Sequence, residues 1–157
     1  MAFSKSWEPC LKQTAPNEVL WALINHNYSV WGEEPTIHTW IDNQAKEENK
    51  TLICNVHKIP KEPGIGINLY DEMASFFLKR FPNFELLERG KTTVAGVPAR
   101  WQKAFIGFES DRGIEHFCTT FNKGNAWYAI YFWGDASLID SRLKELQDLT
   151  ASFTLIQ

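Results

Sequence analysis

The sequence predicts an α+β protein, a mainly antiparallel sheet flanked by helices. Three observations predict it. From residue 36 onward, short runs rich in β-branched and aromatic residues follow one another through turns too short for crossover helices. Two amphipathic stretches with helical spacing, 69–81 and 136–149, interrupt those runs. The run AWYAIYFW (126–133) is apolar on both faces, as a central strand with a covering layer on each side would be.

Taken in order, residues 1–18 are mixed and polar, with Pro9 and Pro16, and predict an arm that is loosely attached or packs late. Residues 19–31 (VLWALINHNYSVW) suit a short helix or turn and then a strand. Residues 1–35 are therefore set apart as an N-terminal extension, and 36–157 form one domain. TIHTWI (36–41) and TLICNVHKI (51–59) are strands joined by the polar stretch DNQAKEENK (42–50). Pro60, Pro63, Gly64 and Gly66 break the chain. Asn68 can cap a helix over 69–81, with Asp71 and Glu72 near its positive end and Lys79 and Arg80 near its negative end. Tyr70, Ala74, Phe77, Leu78 and Phe81 make its apolar stripe, and Pro82 ends it.

A meander follows: 84–94, 99–110, 114–121 and 126–133, turning at Ala95–Pro98, Asp111–Gly113 and Lys123–Asn125. Pro98 fixes its own φ and holds Val97 extended, so the first reversal falls on Ala95 and Gly96, with Gly96 at positive φ. The second helix puts Leu138, Ile139, Arg142, Leu143, Leu146 and Leu149 on one face, with Asp135 or Ser137 as its cap. SFTLI (152–156) reads as a closing strand.

Composition narrows the function. A chain of 157 residues fits one domain. Hydrophobic residues make up 44% and charged residues 22%, a globular balance that excludes general disorder. A net charge of −3 lacks the basic excess that a phosphate backbone demands, so no nucleic-acid partner is expected. No apolar run reaches the roughly 18 residues of a membrane span. MAFSKSWEPCLKQ has neither a secretory apolar core nor an apolar stretch before Cys10, so a cytoplasmic location is expected.

No catalytic motif is visible, and neither a metal nor a cofactor is expected. Cys10, Cys54 and Cys118 are an odd set with no CxxC, which argues against a disulfide framework. Cys54 and His57, three apart on a strand, point to opposite faces, so they do not join His116 and Cys118 in a zinc site. His116 and Cys118 share a face and could pair as base and nucleophile, but a cysteine inside an aromatic sheet acts first as a small hydrophobe. Gly64-Ile65-Gly66 lacks the rest of a phosphate loop. The aromatic content, 14% with 7 Trp, is the informative feature, because Trp is enriched in both cores and contact surfaces. Trp127 is assigned to the core, as Trp101 can be. Trp31, Trp40, Trp101 and Trp133 are the candidate partner-binding residues.

FELLERGKTTVAGVPARW resembles a recurring segment of the PsbP-like superfamily: a strand, a short G-x-x-A turn (here Gly96-Val97-Pro98-Ala99) and a long strand. The likeness runs on through Asp111–Gly113, the aromatic strand, the terminal helix and Ser152-Phe153, covering about residues 50–157. It implies an α/β/α sandwich and non-enzymatic binding or assembly work, as in PsbP, the bacterial DcrB-like proteins and small cytoplasmic chaperones. The expected role is a cytoplasmic, bacterial protein-binding module that acts as a chaperone or assembly factor for a protein partner. The alternative is a small-molecule-binding protein or minor thiol-dependent enzyme, with Cys118 and His116 at the mouth of an aromatic pocket.

Overall fold

The computed structural model describes residues 6–9, 36–60, 83–109 and 112–154. Its elements are β1 (Trp7–Pro9), β2 (Thr36–Asp42), α1 (Asn43–Glu47), β3 (Leu52–Pro60), β4 (Phe84–Val94), β5 (Val97–Glu109), β6 (Arg112–Lys123), β7 (Ala126–Asp135) and α2 (Ala136–Ala151). The strands form one seven-stranded sheet in the order β1-β2-β3-β7-β6-β5-β4. Every pairing is antiparallel, which gives a sheet-dominated α+β fold. The expected helix over 69–81 lies outside the described residues, so α2 is the one long helix among those described and the two-sided helical flank is not on view.

Turn chemistry sets the meander. Ala95 and Gly96 both take positive φ, 50° and 77°, as a type I′ hairpin requires. The predicted conformation of Gly96 is therefore present. Between β6 and β7, Gly124 sits at φ 63° in the first central position of a II′ turn. At the far end of β7, Gly134 lies so close to Thr51 that a Cβ would stand 2.2 Å from its carbonyl oxygen. That close approach brings β3 against β7 and makes the sheet continuous.

The period of two sorts the side chains into two clusters. On the helix side, Leu52, Cys54, Val56, Phe117, Phe121, Tyr128, Ile130 and Phe132 pack beneath Leu138, Ile139, Leu146 and Leu149 of α2. On the opposite side lie Ile41, Ile53, Phe84, Ala104, Ile106, Cys118, Ala129, Tyr131 and Trp133. β7 is buried on both faces, as its sequence predicts.

Four expectations change. Trp7–Pro9, placed in the extension, pairs with Trp40–Asp42 as an edge strand, and Trp7 packs edge-on to Phe132 at 5.9 Å. The polar connection after β2 folds into α1, because the Asp42 carboxylate accepts the Ala45 N–H and Ala45 is buried. Asp135 precedes α2 but does not cap it; its carboxylate accepts the Thr51 N–H at 2.8 Å. Residues 152–154 form no strand. Ser152 ends α2, and Phe153 turns back onto Phe121 and Tyr128.

Candidate functional site

The four candidate tryptophans do not converge. Trp31 lies outside the described residues. Trp40 on β2 and Trp101 on β5 are half-buried against the helix-side cluster, four strand spacings or about 19 Å apart. Trp101 lies across Gly90, its register partner, where a Cβ would meet the indole at 2.5 Å, and it tilts against Phe117. Trp133 points to the other face, is 1% exposed and stacks on Tyr131. Trp127, assigned to the core, is half-buried at the turn end of β7. The two aromatics have exchanged roles: Trp133 is enclosed beside Ile53 and His116, and Trp127 is peripheral.

Two other features stand out. The first is β4. It forms one margin of the sheet over 11 residues and, among the described residues, pairs with β5 alone. The type I′ turn makes Val94 and Val97 a hydrogen-bonded pair, so Thr93 and Lys91 aim their N–H and C=O away from β5. Pro98, with no N–H to give, stands opposite Thr93. The register slips between Leu86 and Glu88, and Leu87 at this bulge is 41% exposed, the one exposed large apolar side chain among the described residues.

The second feature is a polar row crossing the face away from α2. Asn55, Tyr131, Cys118 and Gln102 are successive register partners on β3, β7, β6 and β5, all buried. Tyr131 donates its hydroxyl hydrogen to the Cys118 sulfur. Gln102 Nε2 lies 3.2 Å from Nε2 of His116, which accepts in its neutral form. Burial holds the His116 pKa down at about 3. Both Asn55 side-chain polar atoms and Gln102 Oε1 are buried without a hydrogen-bond partner. The sequence offers one faint signal for these residues: each is a carboxamide in phase with inward-facing apolar neighbours, Ile53 for Asn55 and Ala104 for Gln102.

Burial pushes the Cys118 thiol well above its ordinary pKa, and His116 Nε2 meets Gln102. Neither residue stands at a mouth, since both are buried. Cys54 belongs to the helix-side cluster, on the opposite face from Cys118. Among the described residues no three His, Cys, Asp or Glu side chains gather as a metal site would require.

No family model matches the sequence, and no curated protein matches it. Solved structures do share the fold. A Pseudomonas aeruginosa protein of unknown function superposes with a TM-score of 0.62 at 10% identity, over 80% of this chain and 86% of that one. LpqN, involved in cell envelope biogenesis in Mycobacterium tuberculosis, superposes with a TM-score of 0.52 at 11% identity, over 97% of this chain and 79% of that one. At such identities the likeness is one of fold. No described helix is long and apolar enough to cross a membrane.

Proposed function

We propose that this chain is a non-enzymatic protein-binding module, a chaperone or assembly factor, that takes an extended segment of its partner as an added strand on β4. The observation that carries this is the 11-residue margin strand with outward-aimed backbone groups at Lys91 and Thr93 beside the exposed Leu87. Strand addition draws affinity from main-chain hydrogen bonds and specificity from side-chain contacts at alternate positions. The bulge and the charges of Glu85, Glu88 and Lys91 discourage edge-to-edge self-association, which favours a segment matched to them. Trp101 packs over Gly90 of β4 and borders this contact, whereas Trp40, on β2, lies toward the other side of the sheet.

The PsbP-like kinship belongs to the same proposal. The Gly96–Ala99 turn and the meander support it, and the burial of β7 on both faces supports a sandwich. A cytoplasmic site of action and a bacterial origin are proposed on the sequence alone.

The test is affinity capture on the tagged protein with quantitative mass spectrometry. Thr93→Pro removes an outward N–H and no ladder bond, and Leu87→Lys charges the bulge. Both variants are expected to keep the wild-type circular dichroism and melting point and to lose a partner that the wild type recovers stoichiometrically. Retention of that partner by both variants, or its absence from the wild type, overturns the reading.

A further inference from the structure

The β4 margin sorts its charges by face. Beyond the bulge, the alternation that turns the backbone groups of Lys91 and Thr93 outward does the same for Arg89. Register partners share a face of the sheet. Arg89 stands opposite Gln102, whose own partner Cys118 lies on the face away from α2, so Arg89, Lys91 and Thr93 all present their side chains on that face. Arg100, opposite Lys91, joins them there, and all three basic residues are exposed. Like charges directly opposite one another on a sheet repel, so this corner concentrates positive charge. The acidic residues of β4 lie on the other face. Glu85 stands opposite Phe105, and Glu88 stands opposite Lys103, which it approaches at 4.0 Å. On that α2 face the stretch past the bulge offers Gly90 and Thr92, and the Trp101 indole lies across Gly90.

We propose that the segment added to β4 alternates acidic and apolar residues, with Asp or Glu beside Arg89 and Lys91 on the face away from α2 and an apolar side chain between them on the α2 face. This assignment rests on the strand addition proposed above and names the chemistry of the strand. An added strand keeps the period of two, so its positions paired with Arg89 and Lys91 fall on the basic face together. Opposite charges paired across strands attract. The position between them lies beside Gly90, which has no side chain of its own, and meets the half-buried Trp101 indole. An apolar side chain there removes further ring surface from water. A basic segment meets repulsion at both outer positions, and a wholly apolar one desolvates Arg89 and Lys91 without compensation. Pairing with β4 of a second copy sets the same basic side chains against one another, which excludes self-association as the favoured contact.

The experiment uses the full chain. Random displayed peptides of about eight residues, long enough to span the stretch as one strand, are selected on the wild type and on Thr93→Pro in parallel. Peptides recovered by the wild type and lost on Thr93→Pro are the strand-adding class. In that class, two acidic residues flanking one apolar residue are expected at least about threefold above their share in the library. A synthetic peptide of this class, titrated calorimetrically, is expected to bind Lys91→Glu at least about tenfold more weakly than the wild type. Its counterpart with Lys in place of the acidic residues should bind Lys91→Glu better than it binds the wild type. The selection on the wild type decides the matter if Lys91→Glu fails to fold. Strand-adding peptides without the acidic alternation, or acidic peptides that bind Lys91→Glu as tightly as the wild type, would overturn this assignment and leave strand addition standing. If no recovered peptide depends on Thr93, strand addition at β4 falls and the assignment falls with it.

Discussion

Arg142 of α2 grips Asp42, a carboxylate buried to 0% exposure at the end of β2 that also caps α1. The same guanidinium bonds Glu145 through both ends and sits 5.9 Å over the Trp7 ring. Its hydrogen bonds to these carboxylates, Glu145 foremost, raise its pKa despite partial burial. One side chain thus ties the margin strand β1, the β2–α1 corner and the terminal helix together.

Removing one partner of a buried ion pair leaves an uncompensated charge. Arg142→Met is expected to lower stability by about 3–5 kcal/mol. Asp42→Ala should cost a similar amount and also lose the α1 cap. Urea unfolding followed by Trp fluorescence measures both. A loss below about 1 kcal/mol for Arg142→Met would place the pair with weak surface bridges and remove its role as a tie.

Gly90 is held to its identity by Trp101. A methyl group there meets the indole at 2.5 Å, so Gly90→Ala must displace the ring from β4. Overpacking of this kind costs about 1–3 kcal/mol. The expected readout is a lower urea midpoint together with a red-shifted fluorescence component from the newly exposed Trp101. An unshifted spectrum with unchanged stability would show that the ring has room to yield.

The β4–β5 turn can be improved. Ala95 holds φ 50°, a region that costs an L-residue with an ordinary side chain about 1–2 kcal/mol. Asn tolerates it, and Asn-Gly is the preferred I′ pair. Ala95→Asn is expected to raise stability by about 0.5–1 kcal/mol, and Gly96→Val to lower it by about 1–3 kcal/mol through backbone strain. Thermal melts of the two variants should move in opposite directions. Any partner capture should follow the folded fraction alone.

What could be read from the chain divides by the range of the interactions. Gly96, the β6–β7 turn and the apolar stripe of α2 are local signals, and the structure carries each of them. Trp7–Pro9 escapes such reading because a strand of 3 residues has no period of its own and exists only through Trp40–Asp42. α1 depends on Asp42 and Ala45 being buried by elements far along the chain. In AWYAIYFW both faces are apolar, so pattern cannot rank Trp127 against Trp133. Distance from the turn decides, since Trp133 lies between Ile53 and His116 while Trp127 sits beside the β6–β7 reversal. Asn55 and Gln102 look in sequence like the polar half of an alternating strand. Only the register shows them aligned on an enclosed face.

The last prediction concerns pH, where two neighbours on β6 act in opposite directions. Glu115 faces α2, where burial first, and then Asp140, raise its pKa from 4.5 to about 7, partly offset by Lys103. Lys103 itself pairs with Asp140 at 2.7 Å and approaches Glu88. A carboxyl whose pKa is raised by folding keeps its proton in the native state while the unfolded chain releases it. Its contribution to stability therefore falls as pH rises from about 4.5 to about 7 and is constant above. His116 faces the other way and has its pKa lowered by burial from 6.5 to about 3. Here the unfolded chain takes up the proton first, so stability falls as pH drops from about 6.5 toward about 3. Between 4.5 and 6.5 both slopes operate and oppose each other. Wild-type stability should be nearly flat there with respect to these two groups. Glu115→Gln should expose the His116 slope, with stability rising by up to about 1.4 kcal/mol per pH unit. His116→Gln should expose the opposite slope of Glu115. Urea midpoints across this range measure both, and a Glu115→Gln variant that tracks the wild type at every pH would show that the carboxyl titrates normally and that α2 is indifferent to its proton.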